Sequence, residues 1–284
     1  MKHIYSELLE RVRKEKVTDS GKFEIMKTEF AREKKLPKIP KNAEILNVLE
    51  KDEYKEFSKL LMTKPIRTLS GVANIAVMWL PDDPKDSCPG SCIYCPQGSV
   101  KKATDVGDVS SRVPKSYTGT EPTTMRAVRN KFDPYDQIKN RLNHFHVLGQ
   151  KTDKCELIIM GGTFTAWDIS KQDLFVKRCF DAFNSCDSES LQKAQQINQT
   201  AKSRVIGLTI ETRADYCKDE HIKQMLKLGC TRVELGIQST SDKILKLIKR
   251  GHLSDINKEA IARLRAAGIK VCIHWMPGLT GLYG

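Results

Sequence analysis

Apolar positions fall into two rhythms along the chain. Near the start, Ile4, Leu8, Leu9 and Val12 recur at helical spacing, which predicts an amphipathic helix. Charged, helical sequence continues to about residue 65. It is broken at Lys34-Lys35-Leu36-Pro37-Lys38-Ile39-Pro40-Lys41, where prolines and lysines together predict a basic linker. Beyond this region short, bounded apolar runs take over. Those near 74–80, 156–160, 205–210, 232–237 and 270–275 are predicted as buried parallel strands. Residues 96–154 open with a long loop, turn-rich at Ser116 to Pro122, and end in a helix from Asp133 to about Leu148. Further helices are predicted over Asp173 to Asn184, His221 to Leu228, Asp242 to Lys249 and Ile256 to Ala267, with a polar rim helix within 185–203. Strand and helix alternating at this spacing predict an α/β fold around a parallel sheet. Two domains follow: residues 1–65 as a basic helical extension, and residues 66–284 as the α/β domain. The extension reads either as a solvated helical cap or as an RNA-contacting arm.

Composition narrows the partners. The 284 residues suffice for one large domain or two smaller ones. A formal net charge of +13 favours a polyanion, nucleic acid before a membrane surface. No run reaches the roughly 18 to 20 apolar residues of a membrane span, and the start, MKHIYSELLERVRKEK, lacks the apolar stretch of a secretory signal. Nine cysteines without framework spacing fit a reducing cytoplasm.

The chemistry centres on Cys88-Pro-Gly-Ser-Cys92-Ile-Tyr-Cys95, a C-x3-C-x2-C pattern on a loop directly after the first strand. Thiolates at this density select zinc or iron–sulfur. A closed zinc site needs four ligands, and no second C-x2-C pair or H-x3-5-H follows. Three thiolates on a four-iron cluster leave one iron open. With the aromatic Tyr94 between the last two cysteines, this is the signature of radical S-adenosylmethionine enzymes. A zinc knuckle completed by a distant ligand and three unrelated loop thiols stay open as alternatives. Other polar residues gather where strands end, the place at which α/β sheets bind ligands. Gly161-Gly162-Thr163 lets backbone groups approach a ligand closely. Glu211 and Arg213 suit a ribose hydroxyl and a carboxylate, or else form a rim salt bridge. Glu234 and Gln238, on one strand face, are expected to have partners. His274 reads as a satisfied core histidine before a catalytic base. Cys155, Cys179, Cys186, Cys217, Cys230 and Cys272 read as buried small apolar residues.

The stretches SGVANIAVM, CPGSCIYCP, SYTGTEPTTMRAVRNKFDPYDQIKNRL, GGTFTA, GLTIETRADYC, TRVELGIQS and IHWMPGL together resemble the elongator protein 3 family, in its archaeal branch, from about Lys64 to Leu279. The resemblance implies a partial (β/α) barrel of the radical S-adenosylmethionine type. It implies that Cys88, Cys92 and Cys95 hold a 4Fe–4S cluster. Tyr94, Gly161, Gly162, Thr163, Glu211, Arg213 and Gln238 would lie around S-adenosylmethionine. The implied enzyme is a tRNA uridine acyltransferase. Reductive cleavage of S-adenosylmethionine yields a radical that activates acetyl-CoA, and the wobble uridine of the tRNA anticodon loop is modified at C5. Elongator-type subunits or a second copy are the implied protein partners, with no membrane. Two departures stand out. The family's acetyl-CoA-binding acetyltransferase domain is not in this sequence, and five strands are found where the family's barrel has six. The family's M-P-G-L-P-G reads Met276-Pro277-Gly278-Leu279-Thr280-Gly281. A truncated chain is therefore expected, able to bind cluster, cofactor and tRNA but not to complete the modification. Two other classes stay open: a radical enzyme on a small metabolite, and a non-catalytic RNA-binding fragment with a structural cluster.

Overall fold

The structure is a computed structural model that describes residues 2–46, 48–62, 68–81, 88–96 and 113–279. The expected 65/66 boundary, Lys64 to Arg67, and residues 280–284 with Thr280 and Gly281 lie outside that set. Two compact units are formed, one from Met1–Ala73 with Arg141–Thr152 and one from Asn74–Asn140 with Asp153–Gly284.

The first unit starts with α1 (Lys2–Lys14), whose stripe of Tyr5, Leu8, Leu9 and Val12 is buried. The side chain of Asp19 caps α2 (Ser20–Glu33) by accepting from Lys22 N at 2.9 Å, which satisfies one orphan amide of the first turn. Phe23, Met26 and Phe30 of α2 meet Ile45 and Leu46 of α3 (Asn42–Leu46) and Phe57, Leu60 and Leu61 of α4 (Lys51–Leu61) in one cluster. The helices therefore enclose a core of their own. The basic stretch between α2 and α3 is not helical, as its prolines require.

The second unit follows the expected alternation. β1 (Ala73–Met78) is followed by α5 (Pro122–Arg129), α6 (Pro134–Val147), which belongs to the first unit from Arg141 on, and β2 (Lys154–Met160). Then come α7 (Ile169–Asn184), α8 (Leu191–Asn198), β3 (Arg204–Arg213), α9 (Asp219–Leu228) and β4 (Arg232–Gln238). α10 (Asp242–Leu247), α11 (Ser254–Ala266) and β5 (Lys270–Trp275) complete the series. Among the described residues these strands form one five-stranded sheet in the order β1-β2-β3-β4-β5. The pairs β2/β3, β3/β4 and β4/β5 are parallel. An open parallel sheet with helical crossovers is the partial-barrel α/β fold expected from the sequence.

Several boundaries differ for identifiable reasons. β3 does not stop at Ile210: Glu211 pairs with Glu234, and Arg213 with Gly236 of β4, so the polar residues belong to the ladder. α5 falls in the stretch read as loop, where Pro122 opens the helix; the fixed φ of proline suits a first turn. α7 begins at Ile169 because the Asp168 side chain accepts from Ser170 N at 2.9 Å and Lys171 N at 3.2 Å. Cys155, Cys179, Cys217 and Cys230 are buried as expected. Cys186 and Cys272 are exposed instead, the first in the turn after α7 and the second on β5, the last strand of the sheet. Among the described residues, no helix is long and apolar enough to cross a membrane.

Candidate active site

The carboxyl ends of β2 to β5 and the cysteine loop surround a cavity of about 530 Å³, within the usual range for a small-molecule site. Cys88, Cys92, Tyr94 and Cys95 form one wall. The loop is pinned at several points. Ile93 N donates to Ile248 O at 3.1 Å. Tyr94 packs against the apolar cluster of Ile244, Leu245, Ile248 and Leu279 at α10 and its end. Lys115 Nζ donates to Gly90 O at 2.6 Å. Glycine at position 90 leaves room for the Arg213 guanidinium, which a Cβ there would meet.

The cysteines have different surroundings. Cys92 is 5 % exposed, and its Sγ accepts from Arg250 Nη1 at 3.6 Å and Arg213 Nη1 at 3.9 Å. Burial opposes its thiolate, but Arg250 first, then Tyr94 and Arg213, hold the pKa below that of an ordinary thiol. Cys95 Sγ donates to Lys115 O at 2.8 Å. Among the described residues, no three His, Cys, Asp or Glu side chains converge on a single ion. The thiolates of a four-iron cubane bind different irons and stand further apart than the ligands of one ion. Three soft donors on one cavity wall therefore fit a cluster. Loading it requires the Cys95 sulfur to turn from the Lys115 carbonyl, since a thiolate has no proton to donate.

The opposite wall is built on strand ends. Gly161 has φ +134°, and a Cβ there would lie 2.5 Å from Trp79 Nε1. The bare backbone lets Gly161 N and Gly162 N donate to Glu211 Oε2 at 3.1 and 3.2 Å. Tyr117 O–H donates to the same oxygen at 2.8 Å. Burial nevertheless raises the Glu211 pKa, outweighing these hydrogen bonds. Thr163 is 1 % exposed, lines the cavity, and leaves its Oγ1 without a hydrogen-bond partner among the described residues. A ligand hydrogen bond there would relieve the cost of an unmet buried hydroxyl.

Arg213 is clamped by its own strand end. Its Nε and Nη2 donate to Asp215 Oδ1 and Oδ2 at 2.9 and 2.8 Å, and Nη2 also donates to Arg250 O at 2.8 Å. Asp215 faces His252 Nδ1 at 3.3 Å. Burial works against the Asp215 carboxylate, yet His252 and Arg213 keep its pKa well below the ordinary value. The register slips between Gly236 and Gln238, and Gln238 has φ +65°. This bulge places Gln238 at the cavity, a recurrent use of bulges beside sites. His274 is not a core histidine: its side chain is 45 % exposed at the cavity, with Nε2 3.1 Å from Glu234 Oε2.

The structure thus brings Cys88, Cys92, Cys95, Tyr94, Gly162, Thr163, Glu211, Arg213 and Gln238 to one cavity, with Gly161 just behind it. Sequence reasoning missed Tyr117, Arg250, Asp215 and His252. Tyr117 lay within the quoted stretch SYTGTEPTT, which flagged the segment but gave no role. Arg250 carried no local signal.

Comparison with known proteins is consistent with this geometry. Residues 84–283 match the Radical SAM superfamily, and residues 1–69 match the ELP3 N-terminal domain. A tRNA uridine(34) acetyltransferase of Methanocaldococcus jannaschii is 46% identical over 283 residues, covering 99% of this chain and 50% of that protein. Elongator complex protein 3 of Schizosaccharomyces pombe is 36% identical over 261 residues, 90% of this chain and 47% of its own length. The solved structure of Methanocaldococcus infernus Elp3 with residues 1–46 deleted is 43% identical, with a TM-score of 0.56, covering 74% of this chain and 39% of that one. The chain spans about half the length of the curated relatives it matches.

Proposed function

We propose, for a chain that belongs to the Radical SAM superfamily and to its elongator protein 3 branch, that it is the radical-generating half of an enzyme modifying the wobble uridine of tRNA. The observation that carries the reading is the cysteine wall. Three thiols face a cavity whose other walls offer a buried carboxylate, a clamped guanidinium and an unmet hydroxyl. Cys88, Cys92 and Cys95 would hold a 4Fe–4S cluster. Thr163 and the Gly161-Gly162 turn would grip the amino-acid end of S-adenosylmethionine, with Arg213 on its carboxylate and Glu211 and Gln238 toward its nucleoside. When bound, the cluster supplies the electron that cleaves S-adenosylmethionine reductively.

The chain's own residues bind, orient and exclude water. Tyr94, Met160 and Met276 give the cavity apolar wall that keeps solvent from a reactive carbon centre. Glu211 is an acceptor fixed by two amides and a phenol, so it meets a ribose hydroxyl without reorganising. The first unit and the net charge of +13 suit a tRNA anticodon arm, with the base unstacked into the pocket. Acetyl-CoA is the co-substrate of the proposed reaction, Elongator-type subunits or a second copy are its proposed protein partners, and the cytoplasm is its proposed location.

Anaerobic reconstitution with iron and sulfide tests the reading. The chain should take up about four irons and, with dithionite and S-adenosylmethionine, form 5′-deoxyadenosine, more so with tRNA. Cys92→Ala should lose both properties. Uptake of a single zinc and no iron would end the proposal.

A further inference from the structure

We propose that Arg250 and Arg213 act through Cys92 as positioning residues that raise the reduction potential of the cluster. The inference rests on the reading of Cys88, Cys92 and Cys95 as its ligands. Of the three sulfurs, that of Cys92 is met by two guanidinium N–H groups, at 3.6 Å from Arg250 Nη1 and 3.9 Å from Arg213 Nη1. That of Cys95 faces a carbonyl oxygen instead. Both guanidiniums are held in place. Arg213 is fixed by the bidentate pair with Asp215 and by Arg250 O. Arg250, 4 % exposed, donates to Gly236 O, and its Nη1 lies 3.4 Å from Tyr94 Oη. Neither donor has room to swing away when the sulfur's charge changes.

Their charges are not equal in effect. The charge of Arg213 is offset by Asp215. Among the described residues, no carboxylate pairs with Arg250, so its charge acts on Cys92 and Tyr94 undiminished. Reduction adds one negative charge to the cluster. Fixed positive charge and N–H donors at a ligand sulfur stabilise the reduced form more than the oxidised form. The potential is thereby set upward, and Arg250 contributes more than Arg213.

The test is an electron-paramagnetic-resonance redox titration of the reconstituted 284-residue chain. S-adenosylmethionine is left out, so the proposed hold of Arg213 on its carboxylate does not enter. Arg250→Met and Arg213→Met should each shift the midpoint to a more negative potential, Arg250→Met further. Lys249→Met, which removes a neighbouring charge that does not touch the sulfur, should leave it in place. Midpoints unchanged in both arginine variants, or an equal shift in Lys249→Met, would overturn the inference. Should the variants fail to fold, the unaltered chain still decides. In deuterated buffer its cluster should lose exchangeable-proton hyperfine couplings, and the absence of any such couplings in ordinary buffer would refute the N–H donors. A reconstituted chain that takes up no iron would instead sink the cluster reading, and this inference with it.

Discussion

His274 and Glu234 sit on adjacent strands at the cavity, 3.1 Å apart. The hydrogen bond to Glu234 raises the pKa of His274 against the opposing effect of burial, with Glu211 adding to the rise. The same hydrogen bond lowers that of Glu234. A histidine raised on folding adds stability that is full below its unfolded pKa of about 6.5 and fades as pH climbs through the folded value. Glu234 adds stability above its unfolded pKa of about 4.3 and loses it as pH falls through the folded value. The pair is therefore strongest between these two limits. With His274 half exposed, its worth stays at about 1 kcal/mol or less. A nuclear magnetic resonance titration should place the His274 midpoint above about 6.5. Glu234→Gln should bring it down and flatten the loss of stability from about pH 6 to about pH 8. An unmoved midpoint in that variant would remove Glu234 as the cause. At this scale the sequence showed what is contiguous. The cysteines and the glycine pair stand close together in the chain and can be recognised without a fold. Arg250 meets Cys92 across 158 positions, and no local pattern announces such a contact. The histidine was misjudged because strand alternation does not reveal whether the inward face is filled or open.

The end of β2 is the element on which the opposite wall depends. Gly161 turns there under Trp79, whose ring stacks on Trp167 at 5.0 Å and meets Phe164 edge-on at 5.7 Å. A Cβ at Gly161 would stand 2.5 Å from Trp79 Nε1 and 3.1 Å from Trp79 O, and the stacked ring has no space to retreat. Gly161→Ala should cost about 2 to 4 kcal/mol, combining a disfavoured φ with overpacking. Gly268→Ala is the matched control: φ is +76° and nothing lies within 4 Å of its Cβ, so only conformational strain of about 1 kcal/mol remains. Urea unfolding of the two variants separates the effects, and equal losses would show that contact with Trp79 contributes nothing. The elements themselves were legible wherever a bounded apolar run met a helical stripe, which is why all five strands were found near their observed places. The last three residues of β3 and the whole of α5 were not. Glu211, Thr212 and Arg213 look like loop residues until a ligand cavity accounts for buried polarity, and Pro122-Thr123-Thr124 looks like a turn until proline is placed at a helix start.

At the scale of the molecule, the first unit is discontinuous in sequence. It draws Arg141–Thr152 from far along the chain. Tyr54 O–H donates to Gly149 O at 3.2 Å, and the Leu46 side chain occupies the space a side chain at position 149 would need. Leu142 and Phe145, 6 % and 2 % exposed, belong to the same segment. A boundary drawn from composition cuts the chain at one point, whereas packing joins segments regardless of their distance in sequence. A fragment of residues 66–284 would keep Arg141–Thr152 but lose the helices that share its unit. Loss of the Tyr54 hydrogen bond costs about 0.5 to 1.5 kcal/mol, and loss of the Leu46 packing on Gly149 adds to it, a noticeable part of a typical domain's margin. The fragment should therefore melt below the full chain and bind more of an apolar dye such as anilinonaphthalene sulfonate. Thermal unfolding of the 66–284 fragment in one transition at the temperature of the full chain would show that Arg141–Thr152 is held without the first helices, and that the two sequence segments do not depend on each other.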